Sequence, residues 1–421
     1  MFDKVIGYHD EKVELARILD TILNESKYTA MGVKTPRNIL LHGDAGIGKS
    51  LLANEFAKAT GKTIYVIRKD KPDGEFINYI KETFVKAAEN RGLIVLEDLC
   101  KFSNADVRNR DTEEYVCVQS CIDETRDKVF VIATVNDIDK LPISLVRSGR
   151  FDSIIKMKYP KGKCAAEIVA YFLKNKNVDE SVSSEEISRI MDGHSCAELE
   201  QIVNDAGVYA IYEGRSKISR NDLIRSAMRI IFNAPESYVE CKEEDLRRLA
   251  VHEAGHCLVT EILEPGSVNL VSVNRYNGTI GGITSYKNNE SYFFSAKYME
   301  YRVISLLAGK AATEIVYADT DIGCNRDVSR AFDIVERFVD DYCNFGFDKF
   351  QRCGSSPALL QKKETFMHSE LDRFYKIAKQ LIIENRLFFD EIVRQLMDKK
   401  TLASEDIKNI KKNYCNSKLS V

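Results

Sequence analysis

Three residues within five positions define the chemistry open to this chain: His252, Glu253 and His256, in the stretch Val251-His252-Glu253-Ala254-Gly255-His256-Cys257. On a helix, positions four apart share a face, so the two imidazoles converge and the carboxylate lies beside the first. Neutral imidazoles suit Zn²⁺, and a neighbouring carboxylate can take a proton from a water that the metal makes acidic. This is the H-E-x-x-H pattern of zinc peptidases. Two ligands do not complete a tetrahedral site, so a third has to come from elsewhere.

A second such stretch is Gly43-Asp44-Ala45-Gly46-Ile47-Gly48-Lys49-Ser50, followed by Leu51. It reads G-x-x-x-x-G-K-S between a strand expected at residues 38–42 and a helix expected at 51–60, the setting a phosphate-binding loop requires. Backbone N–H groups turned inward at the glycines would cradle the phosphates of ATP. Lys49 would neutralise the β- and γ-phosphates, and the Ser50 hydroxyl would hold Mg²⁺. Carboxylates are needed opposite such a loop, and Glu97 and Asp98 supply them after the apolar run Leu93-Ile94-Val95-Leu96. Ligands of open α/β folds bind at that carboxyl edge of the sheet. Asn136 closes the next strand, expected at 129–134, where its amide could orient an attacking water. Arg147 and Arg150 follow in Leu145-Val146-Arg147-Ser148-Gly149-Arg150-Phe151-Asp152. Alone they read as a salt-bridged surface turn; downstream of a phosphate loop they are candidate fingers for a neighbouring subunit's γ-phosphate.

Positioning these groups takes a parallel sheet and several helices. Helices are expected at 10–25 and 74–89, a further strand at 63–67, and helical sequence throughout 163–232. At 421 residues the chain exceeds one core. A hydrophobic share of 44% and a charged share of 30% are those of an ordinary globular protein. The net charge of −3, with both signs interspersed, gives no reason to expect nucleic acid. The longest apolar runs are strand-length, far below the ~20 residues needed to cross a bilayer, and no signal peptide opens the sequence. The eleven cysteines are scattered, with no C-x-x-C pair. Cys117 and Cys121, the nearest to a pair, read as reduced thiols.

The order of phosphate loop, acidic strand end, Asn136 and paired arginines resembles the AAA+ ATPases. Gly193-His194-Ser195-Cys196-Ala197-Glu198-Leu199-Glu200 and Ser219-Arg220-Asn221-Asp222 resemble helix starts of their small helical lid. Such a module followed by H-E-x-x-H resembles the FtsH family of ATP-dependent zinc proteases, over residues 2 to 412. The resemblance implies an aspartate as third ligand, at the start of a helix in a segment written roughly G-A-S-N-D. Here Gly323-Cys324-Asn325-Arg326-Asp327 occupies that place before a helix expected at 328–342, and assigns Asp327. It implies that Glu314 supports a ligating imidazole, and that Gly281-Gly282-Ile283-Thr284-Ser285 is a strand to which an extended substrate adds.

The implied fold class is an α/β P-loop AAA+ module, a parallel sheet with flanking helices, over 1–160. A helical lid over 161–235 follows, reaching a linker at 233–237. A mainly α-helical zinc peptidase domain with a small β element fills 236–421. The implied cofactors are Zn²⁺, ATP and Mg²⁺, and the implied partners are protein substrates and copies of the same chain in a homohexameric ring. Three features depart from the family. The acidic order is Glu97-Asp98 rather than Asp-Glu, which predicts slower hydrolysis. No aromatic precedes Gly74 in the segment that should grip substrate, leaving Phe76 as the nearest. The membrane-spanning helices typical of the family are missing, which predicts a cytoplasmic protein or recruitment to a membrane by a partner. An ATP-driven remodelling chaperone with a silent peptidase scaffold is the alternative, and an ATP-regulated peptidase of unfolded chains a third possibility.

Overall fold

The computed structural model describes residues 2–33, 35–36, 38–103, 112–147, 149–231, 233, 242–274, 282–287, 295–319, 321–342 and 356–414. Ser148, Gly281 and residues 234–237 of the expected linker lie outside them. The chain forms two compact units, Met1–Leu223 and Ile224–Val421.

In the first unit, α1 (His9–Leu23) and α2 (Glu25–Ala30) precede an alternation of strands and helices: β1 (Asn38–His42), α3 (Lys49–Ala59), β2 (Ile64–Ile67), α4 (Asp73–Glu89), β3 (Leu93–Leu96), α5 (Glu113–Glu124), β4 (Phe130–Val135), the single turn α6 (Ile143–Val146) and β5 (Ser153–Lys156). All strand pairs are parallel, in the order β2-β3-β4-β1-β5. The inner strands read as unbroken apolar runs because helices cover both faces of the sheet, and Ile39 to Leu41 and Leu93 to Leu96 are fully buried. This order sets β4 between β1 and β3. Asn136 at its end therefore lies between the Gly43–Ser50 loop and Glu97. Cys117 and Cys121 are buried on α5 as free thiols.

The helices α7 (Gly162–Leu173), α8 (Ser184–Ile190) and α9 (Cys196–Tyr212) follow, then α10 (Arg220–Ile231), within which the division into units falls. Helix α9 opens in the expected stretch, where Ser195 at the N-cap and Glu198 form a reciprocal capping box.

The second unit holds α11 (Glu243–Leu263), β6 (Val268–Ser272), β7 (Ile283–Tyr286), α12 (Ala296–Tyr317), α13 (Asn325–Asp340), α14 (Pro357–Glu384), α15 (Arg386–Lys399), β8 (Thr401–Ala403) and α16 (Ser404–Tyr414). The three strands form an antiparallel sheet in the order β7-β6-β8. Helix α11 is buried from Ala250 to Glu261 except at the partly exposed His252, because α12, α14 and α15 pack around it. Phe338, Phe374, Phe388 and Phe389 fill the space between them, each burial contributing about 1.5–3 kcal/mol.

Candidate functional site

The buried stretch of α11 brings His252 and His256 together, with Nε2 atoms 3.0 Å apart. Asp327, in the first turn of α13, sets Oδ2 at 3.4 Å from the first and 3.3 Å from the second. Donors held at about 2.0–2.1 Å around a tetrahedral zinc stand roughly 3.3 Å from one another, so this triangle fits the ion. Two further observations support the fit. Nδ1–H of His256 donates to the Ser305 carbonyl at 2.7 Å, which leaves the Nε2 lone pair free for a metal. Gly309 on α12 lies directly behind both rings: a Cβ there would meet His252 Cε1 and His256 Nε2 at 2.5 Å, so only glycine leaves room for them. Burial opposes the charge on Asp327, yet hydrogen bonds from the two histidines hold its carboxyl well below the usual range.

Glu253 is buried beside this triangle, and the Thr284 hydroxyl of β7 donates to its Oε2 at 2.6 Å. Gly282 backs the same carboxylate, where a Cβ would come within 2.4 Å of Oε1. The helix therefore supplies the acid and the sheet fixes its direction.

In the first unit, Gly43, Asp44, Ala45, Gly46, Ile47 and Gly48 turn from β1 into α3, with Gly48 at the helix N-cap (φ 93). Lys49 Nζ donates to the carbonyls of Gly43 at 2.7 Å and Asp44 at 2.6 Å. Burial lowers its pKa, opposed by the charges of Asp98 and Asp44. Ser50 and Leu51 are exposed in the first turn of α3. A helix N-terminus, a lysine and a hydroxyl in this arrangement fit a phosphate chain with its Mg²⁺. Glu97 reaches over α3, where Asn54 donates to it at 3.4 Å, and pairs with Arg68 at 2.9 Å. Asp98 takes a left-handed conformation (φ 52) and pairs with Lys101 at 2.8 Å. Asn136 is half-buried. The start of α9 rests on the loop, since Ala197 N–H donates to the Gly46 carbonyl at 3.0 Å.

Three family models match the chain: peptidase family M41 over residues 239–410, the ATPase family associated with various cellular activities (AAA) over 39–159, and the AAA+ lid domain over 181–225. The curated protein named ATP-dependent zinc metalloprotease FtsH 2 of Thermoanaerobacter is 26% identical over 423 residues, covering 97% of this chain and 82% of the relative. Its namesake in Symbiobacterium thermophilum is 28% identical over 437 residues, covering 97% of this chain and 74% of the relative. The chain belongs to the FtsH family.

Set against what FtsH membership leads one to expect, three residues lie elsewhere. Glu314 does not touch either histidine among its described contacts; it accepts from Lys379 Nζ at 2.6 Å and from the Tyr375 hydroxyl, which lower its pKa. The imidazole partner is the Ser305 carbonyl, a main-chain acceptor with no sequence signature. Phe76 is fully buried, edge-on to Phe102 at 4.9 Å, because it lies on the face of α4 that packs into the core with Ile80 and Phe84, so it cannot grip substrate. Arg150 is buried within its own unit, holding Asp123 at 2.8 Å, Gln119 Oε1 at 2.7 Å and the Ser144 carbonyl at 2.6 Å. Arg147 is exposed. No helix of the described residues is long and apolar enough to cross a membrane.

Proposed function

We propose that the chain is an ATP-dependent zinc endopeptidase, in which ATP hydrolysis drives engagement and delivery of polypeptides to the site around Glu253. The observation that carries this reading is the His252, His256 and Asp327 triangle with a buried carboxylate fixed beside it. A zinc ion held there would make water acidic near neutral pH and polarise a carbonyl. Glu253, directed by Thr284, accepts the water's proton and returns it to the leaving amine. Ser305 keeps the proton of His256 on Nδ1. In the first unit Lys49 and Ser50 bind phosphate and Mg²⁺, Glu97 and Asp98 manage metal and water, and Asn136 orients the water.

Family membership supports protein substrates and a ring. We infer a homohexamer in which Arg147 acts on the neighbouring nucleotide, while Arg150 supports the turn that presents it. The finer division into 1–160, 161–235 and 236–421 and a cytoplasmic location belong to the same reading. Recovery wholly in the membrane pellet would overturn the location.

The test is zinc content and casein cleavage with and without ATP. Glu253→Gln should keep zinc and lose cleavage about 10²–10⁴-fold. Lys49→Ala should abolish the ATP dependence. Cleavage that survives Glu253→Gln sinks the mechanism. Burial of Phe76 favours a second reading, an ATP-regulated peptidase of unfolded chains. A tagged folded substrate degraded as fast as casein would exclude it.

A further inference from the structure

One helix places both histidines, whereas Asp327, in the first turn of α13, follows the connection from α12, whose last residues Ile322–Cys324 form a single 3-10 turn. Helix α12 ends at Tyr317, Ala318 turns the chain in a left-handed conformation (φ 53), and α13 begins at Asn325. A ligand at the end of such a connection is only as well placed as the connection is held. Glu314 does not hold it, being engaged by α14.

We propose that Arg248 is the positioning residue for Asp327, clamping this connection to α11. Arg248 precedes His252 by four positions and His256 by eight, so it occupies the same helix face, one turn before the first histidine. Its Nη1 donates to Asp321 Oδ1 at 2.9 Å, and its Cζ stands 4.4 Å from the centroid of the Tyr317 ring. The guanidinium thus touches the last residue of α12 and a residue six before Asp327. Both partners of the ion pair are partly shielded, with side-chain exposures of 29% and 34%. Lying over a ring while donating to a carboxylate at its edge suits a planar guanidinium; a lysine ammonium can reach either partner but serves both less well. The division of labour is clear: Ser305 directs His256, Thr284 directs Glu253, and Arg248 directs Asp327.

The inference rests on the zinc reading of the triangle and is tested by zinc affinity, measured on the full chain by competition with a chromophoric chelator. Arg248→Ala and Asp321→Asn should each weaken zinc binding about tenfold, the low end of the range for residues that support metal ligands. The double variant should be no worse than Arg248→Ala, because both changes break one clamp. Arg248→Lys should recover part of the loss. Unfolding of the metal-free protein should be unchanged in the Asp321→Asn variant, which a merely structural ion pair would not allow. Unaltered zinc affinity, additive losses, or a loss of metal-free stability matching the loss of zinc would each overturn the proposal. A parent chain that binds no zinc would instead overturn the reading of the triangle on which it stands.

Discussion

The two chemical centres are built in opposite ways. Around α11 the polar groups converge: two imidazoles and a carboxylate meet within 3.0–3.4 Å, the Ser305 carbonyl takes the other ring nitrogen of His256, and the Thr284 hydroxyl holds Glu253 beside them. Around the Gly43–Ser50 loop they diverge, each onto a partner of its own. Lys49 holds two loop carbonyls, Glu97 pairs with Arg68, Asp98 with Lys101, and Arg150 with Asp123. A converging centre is fixed by its packing. A diverging one has to exchange internal partners for the phosphates and metal that it binds, which suits a site that cycles.

The two arginines should separate most sharply. Arg147→Ala should lower ATP hydrolysis of the assembled protein about 10³-fold while moving the unfolding free energy by no more than about 0.5 kcal/mol. Arg150→Ala should do the reverse, destabilising the first unit by about 1–3 kcal/mol as Gln119 and the Ser144 carbonyl lose their donor. Equal effects in urea titrations and turnover assays would erase the distinction.

If the converging centre is set by packing, one methyl group should undo it. Gly309→Ala should weaken zinc binding about 100-fold, read as zinc stoichiometry after dialysis, because the new Cβ would lie 2.5 Å from the ring atoms of His252 and His256. Retention of stoichiometric zinc would show that the triangle adapts. Removing a partner in the diverging centre should matter less. Arg68 is mostly exposed, and such pairs contribute up to about 1 kcal/mol, so Arg68→Ala should lower the Mg²⁺ concentration for half-maximal ATP hydrolysis by no more than about fivefold. An increased requirement would mean that Arg68 positions Glu97 rather than competing for it.

The smallest effect concerns acid. Burial opposes the charge of Asp222, but Arg215 at 2.5 Å and Ser219 bring its pKa below the ordinary value. Its stabilisation of the first unit is present above the unfolded-state pKa of about 3.9 and is lost as pH falls through the lower folded value. Urea midpoints of the parent and Asp222→Asn should therefore differ at pH 6 and approach each other toward pH 3.

Much of this was readable in advance where local pattern carries the information. The strand at 38–42, the loop after it and the helix at 74–89 emerge within a residue or two, because apolar runs, glycines and helical periodicity are local signals. Three site features were not legible. The Ser305 carbonyl belongs to a residue whose side chain is irrelevant. Gly309 reads as a weak helix former until two rings are placed against it. Glu314 has the spacing of a ligand's neighbour, but Tyr375 and Lys379, more than sixty positions later, take it. The two arginines look alike in sequence, and what separates them is Asp123 and Gln119 on α5. Asp327 required the family pattern, since nothing local relates it to a motif 71 positions earlier.

The small sheet of the second unit has a consequence in time. Its middle strand β6 receives one neighbour from residues 283–286 and the other only from residues 401–403. At about 5–20 residues per second, synthesis takes roughly 6–23 s to pass from one to the other. Throughout that interval a nascent chain carries His252 and Glu253 while the sheet that directs Glu253 still has an open side. The sheet behind β7 is thus closed only by residues 401–403, although every residue of the metal triangle and of the Glu253 support precedes them.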